Sequence, residues 1–419
     1  MGRTTRFSTL AAAVTAGSLV LSACGSGDDT VEIRVAWWGP DSRHQITEEI
    51  IELYEDQNPG VRVITENSDW TGYWDRLATQ SAAQDAPDVM QMDGSYLREY
   101  AENGTLLELD EVDTSSFDEQ VSDSGEIDGT PYAASTGVSV MVMVASPELF
   151  EEAGVDLPDD TSWTWDDYAE IAAEISENTD AYGSQGPLES DGLNMWLRQQ
   201  GQELTDEDGD VAFDADAAAD YFEFIEGAVE SGGLPPAAVM SETQGVGPEQ
   251  SLQGQNEAAM SMIYDTQINQ LASAAGTELV PLRFPTHSGD ASEAEMFSKS
   301  AMYWSGSSQT DHPDEVQDFI DFMVNSEEAA ELNLTDRGLP ANEDVRETIL
   351  PEIGDQERIV VDFIEELDEE YGEPMPPAPL GLPNLQDLTF RLSDDVYYGN
   401  TSPEDAADSL HSDIESAAE

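Results

Sequence analysis

The chain has 419 residues, with 14 Lys and Arg against 90 Asp and Glu, a formal charge of -76. This length suggests two or three hydrophobic cores, and 39% hydrophobic residues can fill them, so a disordered acidic tail is excluded. Nucleic-acid phosphates and anionic membrane surfaces are poor partners, because affinity for either rests on Lys and Arg.

The acid is spread along the whole chain, and Lys299 is the only lysine. At about 1 M salt the Debye length falls to about 3 Å, which screens carboxylate repulsion. In dilute buffer that repulsion opposes the compact state. The composition therefore predicts a protein that works in strong brine.

The N-terminus is a separate object. "MGRTTR" is basic, "FSTLAAAVTAGSLVL" is apolar, and "LSACGSGDD" follows. The apolar run is short for a mature membrane span and fits a secretory signal. Leu21-Ser22-Ala23-Cys24 resembles a bacterial lipobox, in which the cysteine is lipidated after cleavage. Cys24 is the only cysteine, so no internal disulfide competes for it. Residues 1–23 read as signal peptide and 24–30 as a flexible tether. The protein is expected outside the cytoplasm, lipid-anchored to the outer face of the cell membrane.

Next, "VEIRVA" alternates like a strand and runs into Trp37-Trp38-Gly39-Pro40. Neighbouring side chains of a strand face opposite ways, so the two indoles cannot share one core. Ile46, Ile50, Leu53 and Tyr54 predict a helix that Asn58-Pro59-Gly60 stops. "VRVITE" is a second strand, Trp74, Leu77 and Ala78 mark a second helix, "PDVMQMD" is a third strand and "SYLREYAENG" a third helix. Strand and helix alternating over 70 residues predicts a mostly parallel sheet. Ligands of such sheets sit beyond the carboxyl ends of the strands. There the sequence puts Trp37-Trp38, Asp69-Trp70, and Asp93 to Tyr96.

Further along, Thr164 with Asp167 three residues on reads as a helix start, with Trp163 stapled onto Tyr168. Asp208-Gly209 is a turn pair between strands; it lacks the distal Glu of a calcium loop. "QNEAAMSMIYD" is a buried strand ending in Tyr264-Asp265. Val316, Phe319, Ile320 and Met323 form a helix stripe. "EPMPPAPLGLP" is an extended connector, and Leu410 and Ile414 mark a last helix opened by Ser402-Pro403. No phosphate loop with Gly-Lys-Ser/Thr and no G-x-S-x-G occurs. The four histidines are scattered, so neither a metal site nor a cofactor is expected.

The order of the lipobox, "VEIRVAWWGPDSRHQITEEIIELYEDQNPGVRV", "WTGYWDRLATQSAAQDAPDVMQMD", "IDGTPYAASTG", "LFEEAGVDLPDDTSWTWDDYAEIA", "GQNEAAMSM", "HPDEVQDFIDFMVNSEEA" and "TDRGLPAN" resembles the family 1 extracellular solute-binding proteins, the sugar receptors of ABC importers. The resemblance implies an α/β, two-lobed periplasmic-binding-protein-like fold of type II whose hinge has several chain crossings. Crossings are expected near Ala134–Val140, Val280–Leu282 and Thr335–Leu339. Lobe one is then 31–134 with 282–334, and lobe two 135–281 with 335–419. It implies no enzymatic activity, a monomer, a carbohydrate ligand and membrane permease subunits as partners. The rival from another class is a secreted glycoside hydrolase or lyase; another small solute on the same fold is a third reading.

From the family positions the expected contacts are Trp37, Trp38, Trp70, Tyr73 and Asp93 from lobe one. Ser135, Trp196, Tyr264 and Asp265 come from lobe two, with Tyr303, Trp304 and Arg337 from later segments. "WWG" followed by "RH" is similar to receptors for plant-polysaccharide fragments, including uronic ones. Arg43, in the first turn of a helix, is expected either to meet a uronate carboxylate or to pair with Glu48 or Asp41.

Overall fold

In the computed structural model the described residues are 30–418, apart from 119–120, 187–188, 207–209, 244–245, 368–369 and 373–384. The leader, Cys24, the Asp208-Gly209 pair and the proline-rich connector lie outside the described residues.

Residues 31–102 build the first part of one sheet. β1 (Val31–Trp38), β2 (Val61–Ser68) and β3 (Val89–Met92) alternate with α1 (Asp41–Gln57), α2 (Trp70–Ala82) and α3 (Gly94–Glu102). β1 pairs in parallel with β2 from Val31↔Val61 to Trp38↔Ser68, and with β3 through Val35↔Val89 and Ala36↔Met90. The chain thus leaves β1 in one direction and returns on its other side, which opens a crevice beyond the carboxyl ends of β1 and β3. Beyond β3 come the strand Tyr303–Gly306 and then Ala134–Ser135, both antiparallel to their neighbours.

Both faces of this sheet are covered. Ile33, Val35 and Trp37 pack with Tyr54, Phe319 and Ile320 on one face. Ala36 and Trp38 pack with Tyr73, Trp74, Leu77 and Leu97 on the other. The paired tryptophans therefore serve two different cores. Burying a ring of this size removes about 150–250 Å² from water, on the order of 4–6 kcal/mol at about 25 cal/mol per Å². On α1 the buried face is Thr47, Ile50, Ile51 and Tyr54, so the expected stripe is rotated and Ile46 and Leu53 are only partly covered. On α2 the face is Tyr73, Trp74 and Leu77, with Ala78 exposed.

The strand Gly137–Ala145 belongs to both halves, and all nine of its residues are buried. Its first half pairs with Ser298–Ser300 and Leu339–Pro340. Its second half pairs with Ala258–Tyr264 on one edge and Val280–Leu282 on the other. Gly137 and Gly338 meet where the segments cross. A Cβ on Gly137 would lie 2.6 Å from the Leu339 carbonyl oxygen, and Gly338 has φ +91 with the Val138 carbonyl oxygen 2.7 Å from its would-be Cβ. Only glycine fits either position.

Lobe two surrounds that sheet with the helices Trp165–Asn178, Ala215–Glu230, Asp355–Leu367, Leu385–Tyr397 and Pro403–Ala418. Thr164 and Asp167 form the expected capping box, and the Trp163 and Tyr168 rings lie 6.2 Å apart. Leu410 and Ile414 are fully buried. Glu203–Thr205 and Val211–Ala212 pair antiparallel, as a turn between them requires.

Two crossings extend beyond the expected segments. Phe284, Met296 and Phe297 are part of the lobe-two core, and Arg283 is tied to Asp160, Glu366 and Glu370. The chain returns to lobe one only after Ser298–Ser300, with Met302 and Tyr303 in a lobe-one core. The segment after Thr335 touches both lobes. Leu339 joins the lobe-two core, Ala341 packs in the lobe-one core, and Arg346 pairs with Asp118 at 3.0 Å. Lobe two resumes with the helix Asp355–Leu367, whose Val360, Val361 and Ile364 join its core.

Candidate functional site

The two strand ends of lobe one carry helix caps and aromatic rings together. Asp69 caps α2 by accepting from the Gly72 amide at 2.8 Å. Asp93 caps α3 by accepting from the Ser95 amide at 2.9 Å. Each carboxylate supplies a partner that the first helical turn lacks. Behind Asp69, Trp70 is 43% exposed, the most exposed tryptophan among the described residues. Its ring stands edge-on to Trp38 at 5.0 Å and to Trp74 at 5.5 Å. Trp74 stacks on Tyr96 with centroids 3.8 Å apart and planes 19° apart. The Trp74 indole N–H is buried without a hydrogen-bond partner among the described residues. Tyr73 lies beneath, its hydroxyl donating to the Gln91 carbonyl. The result is an aromatic surface running outward from the end of β3, with Trp38 and Tyr73 as its support.

The other half of the cleft is polar. Gly94 borders the Tyr303 ring, which a Cβ there would approach to 3.8 Å. The Tyr264 hydroxyl donates to Asp191 at 3.1 Å, and the Lys299 ammonium lies 4.0 Å from the centre of the Tyr264 ring, a cation–π contact. Asp191 and Tyr264 keep part of their surface accessible, yet protein atoms crowd both. Burial pushes the Asp191 carboxyl up from its ordinary range, the Lys299 charge and the Tyr264 hydroxyl pull it down, and the Asp93 charge adds to the rise. Burial, then the Asp191 carboxylate, holds the Tyr264 hydroxyl well above its ordinary value. The Asp93 charge also acts on Tyr264 and Tyr303. The Asp93 charge of lobe one thus reaches across the interlobe cleft to Asp191 and Tyr264. Ser135 sits at its hinge side, 2.8 Å from the Ser300 hydroxyl.

Six expected residues do other work. Trp37 is fully buried, and its indole N–H donates to His44 Nδ1 at 3.1 Å, an imidazole whose pKa burial lowers. Trp196 packs inside lobe two, 5.4 Å from Trp165 and 4.4 Å from His287. Trp304 is fully buried below the Arg337 guanidinium, 5.4 Å away. Arg337 itself donates to Gln91, Asn333 and Thr47; burial pushes its pKa down to about 9, so it stays charged at neutral pH. Arg43 pairs with Asp336, through Nε to Oδ2 at 2.6 Å and Nη2 to the backbone oxygen at 2.6 Å. That acid is 293 residues away and replaces both expected partners, Glu48 and Asp41. Asp265 accepts from the Ser139 hydroxyl at 2.6 Å and the Val140 amide at 2.9 Å, so it holds the hinge strand at the point where that strand changes partners. Burial pushes its pKa up to about 6.

The site includes residues that sequence reasoning passed over. Trp74 reads as helix core and is also the middle of the aromatic surface. Asp191 carries no local signal. Lys299 carried one: it is the single lysine of the chain. Among the described residues no group of three or more His, Cys, Asp or Glu side chains could hold a metal ion, and no helix is long and apolar enough to cross a membrane.

The chain is similar to known proteins in both sequence and shape. It is 27% identical over 213 residues to the arabinooligosaccharide-binding protein of Halalkalibacterium halodurans, covering 49% of this chain and 46% of that protein. It is 28% identical over 150 residues to the diacetylchitobiose binding protein DasA of Streptomyces coelicolor, covering 34% of this chain and 33% of that one. The chain spans less than two thirds of the length of these curated relatives. Among solved structures, a periplasmic oligogalacturonide binding protein from Yersinia enterocolitica in complex with saturated digalacturonic acid superposes with a TM-score of 0.81 at 21% identity, over 93% of this chain and 100% of that one. An ABC substrate-binding protein from Listeria monocytogenes in complex with cycloalternan gives 0.78 at 21% identity, over 93% and 99%. These likenesses carry the two-lobed fold. Residues 40–330 match the family described as bacterial extracellular solute-binding protein, and that stretch is more than half of the chain: the protein belongs to the bacterial extracellular solute-binding proteins.

Proposed function

We propose that the protein is the sugar-capturing receptor of an ABC importer, a monomer held to the outer face of the membrane by a lipid on Cys24 and adapted to strong salt. The observation that carries the ligand class is the Trp70–Trp74–Tyr96 surface beside the Asp93, Asp191 and Lys299 cluster. A pyranose has an apolar face and a rim of hydroxyls. Aromatic rings cover the first, and carboxylates and an ammonium pair with the second. The site lies between two lobes, where small-molecule clefts form and close by hinge motion. The saccharides named for the relatives and structural neighbours support the same class.

The test is a thermal-shift screen of a carbohydrate panel at about 2 M salt, where repulsion between the acids is screened. A ligand that binds only the folded state raises stability by about 2.7 kcal/mol at 100 times its Kd. Saturable stabilisation without consumption of the sugar supports a receptor. Sugar turnover supports the hydrolase or lyase, and a panel without a single shift defeats the sugar reading. For the anchor, Cys24→Ser is expected to abolish lipid labelling and membrane retention; unchanged retention refutes it.

A further inference from the structure

Most arginines drawn into the interior have acids of their own: Arg43 with Asp336, Arg198 with Glu203, Arg283 with Asp160, Glu366 and Glu370, and Arg346 with Asp118, while Arg337 shares Asp336 with Arg43 at 3.7 Å. Lys299 differs. It stands opposite Ser139 of the hinge strand, half-buried, with its ammonium over the Tyr264 ring. It acts on Asp191 through charge, with no carboxylate of the described residues drawn into a direct ion pair with it. The Tyr264 hydroxyl ties the group to Asp191 at 3.1 Å, and the Asp93 charge of the other lobe acts on both Asp191 and Tyr264.

We infer that Asp93, Asp191, Tyr264 and Lys299 form the polar floor of the site and that this floor selects an uncharged saccharide over a uronic one. The inference rests on the reading of the protein as a sugar receptor. Two carboxylates and one ammonium leave no surplus positive charge for a ligand carboxylate. Arg43, the cation expected to supply it, is consumed by Asp336. A sugar hydroxyl both donates and accepts, so it donates to Asp93 or Asp191 and accepts from Lys299. A uronate oxygen can only accept, and it meets two like charges. Discrimination of this kind comes from the repulsive element as much as from the attractive one.

The experiment is calorimetric titration of the purified full-length protein in about 2 M NaCl, where the distant charges of the chain are screened and those in contact range remain. The probes are matched trimers: xylotriose, cellotriose and galactotriose against trimers of glucuronic and galacturonic acid. The neutral member of a pair is expected to bind at least about 100-fold tighter, the size of effect that one or two unpaired buried charges produce. Asp93→Asn and Asp191→Asn remove one negative charge each at constant shape, and Asn still caps a helix. Each is expected to narrow the ratio about 10-fold, chiefly by raising the uronic affinity, while Lys299→Gln widens it. The two aspartates lie in different lobes, so one variant that fails to fold leaves the other as a test. A uronic trimer bound as tightly as its neutral partner, or a ratio unmoved in a folded Asn variant, overturns the inference while leaving the sugar receptor intact. Binding of none of the five overturns both.

Discussion

Replacing Arg43 by Met tests whether that arginine holds lobe one together or meets the ligand. Its guanidinium is 9% exposed and Asp336 is 13% exposed, with 2.6 Å between them. Breaking a buried pair by removing one partner costs about 3–5 kcal/mol, because the remaining charge stays buried and uncompensated. Here the loss falls at the lower end, about 3 kcal/mol, since Arg337 Nη1 lies 3.7 Å from the same carboxylate and inherits it in part. Asp336→Asn is the harsher change, about 4–5 kcal/mol, because it leaves Arg43 and Arg337 facing each other; the Arg43 charge already lowers the Arg337 pKa. The double variant loses less than the sum of the two, with a coupling of about 2 kcal/mol. At about 2–4 °C per kcal/mol for a lobe of this size, Arg43→Met lowers the melting temperature by about 6–12 °C. Far-UV circular dichroism melts and urea titrations measure all three, each at two salt concentrations. A buried pair is screened little, so the coupling stays constant between them. Affinities for neutral and uronic sugars shift together. Losses below about 1 kcal/mol that simply add and fade with salt, as exposed pairs behave, refute this reasoning. A selective loss of uronic affinity restores the carboxylate role of Arg43.

Trp70→Ala is expected to weaken ligand by about 1–3 kcal/mol with little change in melting, because its ring is half exposed, whereas the buried Trp196→Ala costs about 3–5 kcal/mol of stability; titration and melting of both variants decide it. Asp265 has its pKa raised to about 6, so the folded form holds the proton more tightly than the unfolded form does. Its stabilising contribution is complete below about pH 4 and is lost as pH rises through about 6, and Asp265→Asn should therefore gain on the parent by a few kcal/mol between pH 4.5 and 7.5 in paired melts; a constant difference contradicts this. Removing salt stretches the Debye length from about 3 Å at 1 M to about 30 Å at 0.01 M, so melting temperature should rise with NaCl, and a flat series counts against brine adaptation.

The parts of the fold legible in the sequence are those with a local cause. Alternation in "VEIRVA" foretold that Trp37 and Trp38 point apart. It could not tell that helices cover both faces, because Phe319 and Ile320, which cover Trp37, arrive more than 280 residues later. The Thr164 capping box was legible because its two partners are three residues apart. The crossings extend past the expected segments because Leu339–Pro340 and Ser298–Ser300 are too short for any periodicity to mark them. Of the expected contacts, Trp70 and Asp93 stand at the starts of helices that follow strand ends, while Trp37, Trp196, Trp304 and Arg337 went to cores and buried networks. An aromatic or an arginine looks the same in sequence whether it waits for a sugar or for Asn333 and Thr47. The Arg43–Asp336 pair lies beyond any local rule.

The lobe-one sheet has a consequence for how the chain acquires its shape. The strand Tyr303–Gly306 lies between β3 and Ala134–Ser135, so the N-terminal half of the chain holds a sheet with its fourth place empty. Until that strand arrives, β3 presents an unpaired edge, and edges of this kind invite pairing with other chains. Closing loops of this span precedes any reward from the contacts they form, which slows folding. Lobe one is thus expected to complete late and only from the nearly whole polypeptide, while dense negative charge keeps the waiting chains apart.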